Sequence, residues 1–208
     1  MTIKAVIFDM DGVLIDAREW HFKCLNDALS CFGENISEED HNNRFDGLPT
    51  KKKLEMLSEE GRIPTKLHNL INNLKQKFTI DYIHRECMPT YQHEYALSRL
   101  KNEGYKIALA SNSVRGTVEL MMQKSNLVQY LDLTLSASDV EKPKPDPEIY
   151  NTAIDRLGFT PSECMIIEDN ENGIKSAIAS KANVFEVIDV WDVTYSNIKN
   201  KIEEFNKK

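Results

Sequence analysis

Seven side chains with carboxylate, hydroxyl, amide or ammonium groups fall into four short segments of this 208-residue sequence. They are Asp9 and Asp11, Ser111 and Asn112, Lys142, and Glu168 and Asp169. A carboxylate can attack phosphorus as a nucleophile, and a second carboxylate can act as general acid and base. An ammonium group can offset the charge of phosphoryl oxygens, so the set suits phosphoryl transfer.

The two carboxylates of the first segment cannot do the same job in this chemistry. We expect Asp9 to attack phosphorus. We expect Asp11 to protonate the leaving oxygen and then to deprotonate the water that attacks the aspartyl-phosphate. Lys142, the Ser111 hydroxyl and Asn112, with nearby backbone N–H groups at a helix start, are expected to bind the phosphoryl group.

Crowded carboxylates repel one another, and a hard divalent cation would resolve the repulsion. A Mg²⁺ site that combines a few protein carboxylates with water and phosphate oxygens fits this set. We expect Asp9, Glu168 and Asp169 to hold the ion, helped by the backbone carbonyl of Asp11. The cation would also reduce the repulsion between Asp9 and an anionic substrate.

Apolar and partly β-branched runs predict the strands that position these groups. The predicted strands are 5–8, 106–110, 164–167 and 184–188, with a weaker candidate at 131–135. Helical patterns separate the later strands, which favours an α/β, Rossmann-like parallel sheet with helices on both faces. Ligands bind at the carboxyl ends of such strands, where the four reactive segments lie.

One region lacks strand signals, because residues from about Ala17 to Glu86 carry only helical patterns. We therefore predict a Rossmann-like core of residues 1–15 and 87–208 and an inserted helical cap domain of residues 16–86. The insert leaves the sheet where Asp9 stands and can lie over that end as a lid. The lysine run at 51–53 is expected to be a solvated helix face.

Read in order, the four segments resemble the haloacid-dehalogenase-like superfamily. The matching stretches are 9–16, 109–113, 142–147 and 167–170, followed by Gly173 and Ile174. The branch that they resemble most contains β-phosphoglucomutase and small-metabolite phosphatases. The resemblance covers nearly the whole predicted core and implies a Rossmann-like core, a helical cap and Mg²⁺.

The same resemblance implies roles for individual residues. It makes Asp9 the nucleophile and Asp11 the acid and base. Its phosphate ligands are Ser111 and Lys142, and its metal-site carboxylates are Glu168 and Asp169. Members of this branch often place a His near the position of His21, so His21 is a candidate substrate contact.

Two functions of this branch stay open: a phosphatase for a small phosphorylated metabolite such as a sugar phosphate, and a sugar phosphomutase. In β-phosphoglucomutase, the cap loop after its Gly carries an Arg that grips the second phosphate. Here Gly47 starts that loop and Thr50 stands about where the Arg would be. A short neutral side chain holds a distal phosphate poorly, which favours the phosphatase. Lys51, Lys52 or Arg44 are the residues that could substitute.

Other classes fit the sequence less well. A response-regulator receiver also has a phosphorylated Asp, but it is smaller, has no insert after its first strand and places its acidic pair before the accepting Asp. Dehalogenases generally have no second Asp at the position of Asp11.

The net charge of −7 argues against a nucleic-acid partner. No apolar run reaches membrane-spanning length, and the first residues lack a signal-peptide pattern. We therefore expect a cytoplasmic protein. We also expect a monomer whose partner is a small phosphorylated metabolite.

Overall fold

The apolar run near the start of the chain forms the central strand of a five-stranded parallel sheet. This architecture comes from a computed structural model, which describes residues 2–207. The strands are β1 Ala5–Phe8, β2 Lys106–Ala110, β3 Leu133–Leu135, β4 Cys164–Glu168 and β5 Asn183–Glu186. Their order across the sheet is β3-β2-β1-β4-β5. The strand β1 is therefore central, with β2 and β3 on one side and β4 and β5 on the other.

The residues of β1 are completely buried, which is typical of a parallel strand covered on both faces. Phe8 pairs with Leu109 of β2 on one side and with Ile167 of β4 on the other. The next residue is Asp9, so the register places this carboxylate in the middle of the carboxyl edge of the sheet.

Helices connect the strands and form the rest of the regular structure. The α-helices are α1 Arg18–Ser30, α2 Glu38–Asp40, α3 Thr50–Glu59, α4 His68–Glu86, α5 Tyr91–Asn102, α6 Arg115–Lys124, α7 Glu148–Leu157, α8 Glu171–Ala179 and α9 Tyr195–Asn206. A π-helical turn, His41–Phe45, directly follows α2. Among residues 2–207, no helix combines the length and hydropathy that crossing a lipid bilayer requires.

Contacts divide the chain into two compact units. One unit is Ala17–Glu86, which contains α1 to α4 and is called the helical unit below. The other contains the sheet and comprises the residues up to Asp16 together with those from Cys87 onward. The helical unit begins one residue later than the predicted insert at 16–86.

Each unit has an apolar core of its own. In the sheet unit, the helix α7 buries Ile149, Tyr150 and Ile154 against the strands. In the helical unit, residues from α1, α3 and α4 pack around Phe45, which is fully buried. The fold is thus the α/β sheet expected from the sequence, with a separate all-helical unit.

Candidate active site

The ends of three strands bring acidic and hydroxyl side chains to one edge of the sheet. Asp9 follows β1, and its backbone N–H donates a 3.0 Å hydrogen bond to a carbonyl of β4. Glu168 is the last residue of β4, and Asp169 comes directly after it. Ser111 follows β2 and is buried. These four residues lie where the sequence predicted that a site would form.

Three of the carboxylates form a tight group. Asp9, Glu168 and Asp169 each offer an oxygen atom within 4.8 Å of the other two. Asp9 is 8% exposed and Glu168 is 1% exposed, so two of these acids are removed from bulk water. Buried charges are costly unless they are paired, which makes this group a candidate site for a cation.

The Asp11 carboxylate has a different partner. It accepts a 3.0 Å hydrogen bond from the Ser113 hydroxyl, and the Ser113 backbone N–H donates to Ser111 Oγ, also at 3.0 Å. The chain turns back on itself immediately afterwards, where Gly12 has a φ of 85°. The side chain of Asp11 is therefore oriented by the β2 loop.

Lys144, and not Lys142, supplies the ammonium group of this site. Lys144 Nζ donates to Asp9 Oδ1 at 2.5 Å, to Glu168 Oε1 at 2.7 Å and to the Ala110 carbonyl at 2.8 Å. The Lys142 side chain is 70% exposed, and its ammonium lies 3.9 Å from Asp146. Lys142 was expected to offset charge on the phosphoryl oxygens, but its side chain extends into solvent, and Lys144 is the lysine that contacts Asp9.

Neighbouring hydrogen bonds explain which lysine turns inward. The Asn112 amide clamps the backbone of Lys144, accepting from its N–H at 3.0 Å and donating to its carbonyl at 3.3 Å. The backbone N–H of Lys142 is held by Glu148 at 3.0 Å. Asn112, expected at the phosphoryl group, thus has both ends of its amide engaged in positioning Lys144.

Tyr150 is a second residue that sequence reasoning missed. Its hydroxyl donates to Glu168 Oε1 at 2.5 Å, and the Lys144 ammonium lies 4.7 Å from the centre of its ring. Burial, followed by the nearby negative charge of Glu168, raises the pKa of Tyr150 well above its usual range. The hydroxyl therefore stays protonated and orients one oxygen of Glu168.

The surroundings control the charge of the proposed nucleophile. Burial raises the pKa of Asp9 well above its ordinary value, and Lys144 opposes this effect while Glu168 adds to it. Burial disfavours the Lys144 ammonium, but the carboxylates of Asp9 and Glu168 outweigh burial, so the pKa of Lys144 is raised. A charged Lys144 thus favours the ionised, nucleophilic form of Asp9.

The donor set fits a hard divalent cation. Within the group of Asp9, Glu168 and Asp169, three carboxylates against the one ammonium group of Lys144 leave two formal negative charges. Oxygen ligands of this kind suit Mg²⁺ and similar ions. The residues present can therefore hold a divalent metal, with Asp9, Glu168 and Asp169 as its ligands.

Two glycines leave room for these carboxylates. A Cβ atom on Gly173, in α8, would overlap the carboxylate of Glu168, and one on Gly12 would overlap that of Asp169. Both positions must stay free of a side chain, or the acids must move. The spacing of Gly173 after Glu168 in the sequence is thus explained by direct contact.

We expect Gly173→Ala to destabilise the protein by about 1–3 kcal/mol, because the added methyl group overpacks a site in which Lys144 and Tyr150 fix Glu168. Gly116→Ala is the matched control, since a Cβ there meets nothing within 4 Å and Ala is the better helix former. Urea denaturation followed by circular dichroism measures both effects. Equal stability of Gly173→Ala and Gly116→Ala would contradict the contact.

The candidate specificity residues all belong to the helical unit. His21 Nδ1 lies 3.2 Å from Lys75 Nζ. Gly47 has a φ of 69°, and Thr50 is the first residue of α3 and is partly exposed. Their contact with substrate stays a prediction.

Known proteins resemble this chain over most of its length. The family model of haloacid dehalogenase-like hydrolases matches residues 6–187. A phosphorylated carbohydrates phosphatase of Thermotoga maritima is 29% identical over 177 residues, covering 84% of this chain and 80% of that protein. A pyrophosphatase, PpaX, of Bacillus cereus is 30% identical over 175 residues, covering 84% of this chain and 78% of the relative.

A solved structure agrees with the fold. The β-phosphoglucomutase of Clostridium difficile superposes with a TM-score of 0.84 at 20% identity, covering all of both chains. At that identity, the likeness concerns the fold alone. Because the family match extends over most of the chain and includes every strand-end segment described above, this protein is a hydrolase of the haloacid dehalogenase-like family.

Proposed function

We propose that the protein is a Mg²⁺-dependent phosphatase that hydrolyses a small phosphorylated metabolite through an aspartyl-phosphate on Asp9. The observation that carries the proposal is the convergence of Asp9 with Lys144, Glu168 and Asp169 at the carboxyl edge of the sheet. The named phosphatase relatives support the reaction class. A sugar phosphate is one candidate substrate, since one relative acts on phosphorylated carbohydrates.

The proposed reaction has two displacements at phosphorus. In the first, an oxygen of Asp9 bonds to phosphorus, the bond to the leaving oxygen breaks, and Asp11 gives that oxygen a proton. In the second, Asp11 takes a proton from water, the water oxygen bonds to phosphorus, and the bond between Asp9 and phosphorus breaks, which frees inorganic phosphate and regenerates the Asp9 carboxylate. The Ser113 hydroxyl orients Asp11 for both proton transfers.

The other residues of the site prepare it for an anionic substrate. Lys144 opposes the protonation of Asp9 that burial favours, and it offsets charge on the phosphoryl oxygens. Tyr150 and Lys144 together fix one oxygen of Glu168. Bound Mg²⁺, held by Asp9, Glu168 and Asp169, would supply further positive charge against the phosphoryl group.

A sugar phosphomutase is the alternative, and the fold shared with a β-phosphoglucomutase keeps it in consideration. The two reactions differ in whether water or a sugar hydroxyl receives the phosphoryl group. Thr50 favours the phosphatase, because its neutral side chain stands where a mutase would hold a second phosphate. We also propose a cytoplasmic monomer, and the four free cysteines fit a reducing compartment.

The deciding experiment incubates the protein with Mg²⁺ and a panel of phosphorylated metabolites and measures released phosphate. β-Glucose 1-phosphate belongs in the panel, with glucose 6-phosphate followed in parallel. Phosphate release from one or a few compounds supports the phosphatase. Formation of glucose 6-phosphate with little free phosphate would establish the mutase instead.

Removal of the metal is expected to stop turnover. With excess EDTA, phosphate release should fall to the rate without enzyme, because repulsion among the three carboxylates and the substrate is no longer offset. Added Mg²⁺ should restore the rate, whereas the larger Ca²⁺ should restore little of it. Full activity in EDTA would refute the metal requirement.

A further inference from the structure

A neutral hydrogen-bond donor lies among the charged groups of the candidate metal site. It is the hydroxyl of Tyr150, which donates to Glu168 Oε1 at 2.5 Å. The Tyr150 ring is fully buried in the core of the sheet unit, so packing fixes the position of its hydroxyl. A phenylalanine ring would fill nearly the same volume. The core does not by itself require a hydroxyl here, so the polar atom serves the Glu168 carboxylate.

The two oxygens of the Glu168 carboxylate have different surroundings. Oε1 accepts hydrogen bonds from the Tyr150 hydroxyl and from Lys144 Nζ, the latter at 2.7 Å. Each carboxylate oxygen offers two lone pairs, so these two donors occupy Oε1. Oε2 accepts a longer bond, of 3.2 Å, from the backbone N–H of Asp169. Oε2 is therefore the oxygen of Glu168 that is better able to bind a cation.

The backbone of α8 helps to hold the carboxylate in this orientation. A Cβ atom on Gly173 would lie 1.9 Å from Glu168 Oε1 and 2.2 Å from Oε2, so the carboxylate lies directly against this glycine. With α8 on one side and two donors on Oε1, the carboxylate cannot turn both oxygens toward a cation without losing a hydrogen bond. Glu168 should thus offer a single oxygen to an ion shared with Asp9 and Asp169.

The number of oxygens that a carboxylate offers affects which ion the site prefers. Ca²⁺ takes about 6–8 oxygen ligands at about 2.3–2.6 Å and accepts both oxygens of one carboxylate. Mg²⁺ requires nearly octahedral geometry at about 2.0–2.1 Å, which the closely spaced oxygens of one carboxylate fit poorly. A glutamate that is restricted to one oxygen therefore favours Mg²⁺ over Ca²⁺.

A neutral donor suits this role better than a second cation would. The three carboxylates and Lys144 leave two formal negative charges to attract a metal ion. Another ammonium group in place of the Tyr150 hydroxyl would remove one of these charges. The hydroxyl occupies Oε1 and leaves the charge unchanged, so the orientation of Glu168 is fixed without weakening the attraction for a divalent ion.

We propose that Tyr150 is a positioning residue that sets the ion preference of the metal site, because it leaves Glu168 to bind through Oε2 and so favours Mg²⁺ over Ca²⁺. The inference rests on the metal site of the proposed function and extends it, since it assigns the choice of ion to a residue that acts through Glu168. Removal of the hydroxyl frees a lone pair of Oε1, which the larger ion can then use.

The test measures the binding of Mg²⁺ alone and of Ca²⁺ alone to the metal-free protein. Dissociation constants come from melting temperatures at rising concentrations of each chloride salt and constant ionic strength. Tyr150→Phe should weaken Mg²⁺ binding about tenfold, because the partner that orients a metal ligand is lost. Ca²⁺ binding should change less than about threefold, so the ratio of the two constants should shift about threefold or more toward Ca²⁺.

Tyr91→Phe is the matched control for this measurement. It makes the same chemical change on a residue of α5 that is 81% exposed. The control should keep the wild-type ratio of the two dissociation constants. A ratio that shifts equally in Tyr91→Phe and Tyr150→Phe would overturn the proposal, because the effect would not depend on the contact with Glu168.

A further pair of variants tests whether Tyr150 acts through Glu168. In protein that carries Glu168→Gln, the addition of Tyr150→Phe should change the melting response to neither ion. The carboxylate through which the hydroxyl acts is absent in that background, so the two substitutions should not add. A change in the relative response to Mg²⁺ and Ca²⁺ in that background would overturn the proposal.

An unchanged ratio in Tyr150→Phe would overturn the proposal even if both ions bind more weakly, since an equal loss is what a merely structural role produces. Failure of Tyr150→Phe to fold would also overturn it, because the hydroxyl would then be a requirement of the fold. The wild type gives a test without any variant: Ca²⁺ binding more than about tenfold tighter than Mg²⁺ binding would contradict the proposed preference.

These measurements need no turnover, so they separate the inference from the proposed reaction. A chain that shows the expected ratios but hydrolyses no phosphomonoester would refute the phosphatase and leave the role of Tyr150 intact. Phosphate release that depends on Mg²⁺, together with an unchanged ratio in Tyr150→Phe, would refute the role of Tyr150 and leave the phosphatase intact.

Discussion

Asp9→Asn is expected to reduce phosphate release at least about 1,000-fold, to the limit of detection. The amide has nearly the shape of the carboxylate but cannot attack phosphorus. The substitution also removes the negative charge of Asp9, whose Oδ1 lies 2.5 Å from Lys144 Nζ. The variant should fold, because Lys144 keeps Glu168 as its carboxylate partner and burial already disfavours a charge on Asp9, whose pKa is raised.

The measurement is kcat on the best substrate of the panel, with circular dichroism to verify folding. Asp155→Asn is the matched control, since it makes the same chemical change on an exposed position of α7. It should retain the wild-type rate. A wild-type rate for Asp9→Asn would remove Asp9 as the nucleophile.

Lys144→Met should lower kcat/KM by about 100-fold or more, whereas Lys142→Met should stay within about twofold of the wild type. Lys144 contacts both Asp9 and Glu168 and is buried, but Lys142 extends into solvent. The two residues have the same type and are two positions apart, so the comparison tests position alone.

Stability provides a second readout for the same pair of variants. Loss of the buried ammonium leaves Asp9 and Glu168 without their positive partner, and breaking such a pair costs about 3–5 kcal/mol. We therefore expect Lys144→Met to melt lower than Lys142→Met in EDTA, and Mg²⁺ to recover part of the difference. A large kinetic loss in Lys142→Met alone would reverse the assignment of the two lysines.

Local sequence patterns were sufficient to predict β1 and β2 of the sheet. The predicted strands 5–8 and 106–110 coincide with β1 and β2, because fully buried strands appear as short, continuous apolar runs. The edge strands are less accurate. The candidate at 131–135 is shortened to Leu133–Leu135, and the one at 184–188 becomes Asn183–Glu186. Edge strands have a partner on one side only, so the apolar pattern specifies their ends less well.

The sequence predicts those site residues that stand at the ends of strands. It does not predict the residues whose place in the site depends on the direction of a side chain. Asp9, Glu168 and Asp169 follow from the register of the central strands. The choice between Lys142 and Lys144 depends on the Asn112 clamp, which joins residues 32 positions apart. Tyr150 fits the apolar face of α7, so the periodic pattern conceals its polar contact with Glu168.

In the helical unit, too, the sequence does not predict the direction of a side chain. A run of three lysines predicts a solvated face, and Lys52 conforms to that prediction. Lys53 does not, because α3 turns that position toward the interior of the unit, where Lys75 also lies. A single sequence does not show that one lysine of a run is buried, since its neighbours are chemically identical.

The central position of β1 has a consequence for the lifetime of the active geometry. Its backbone is hydrogen-bonded to β2 on one side and to β4 on the other, and both neighbours are themselves covered by outer strands. Fraying of an edge strand leaves these bonds intact. The amide hydrogens of Val6 to Phe8 should therefore exchange with solvent only when the whole sheet unit opens. The position of Asp9 is then as durable as the global fold.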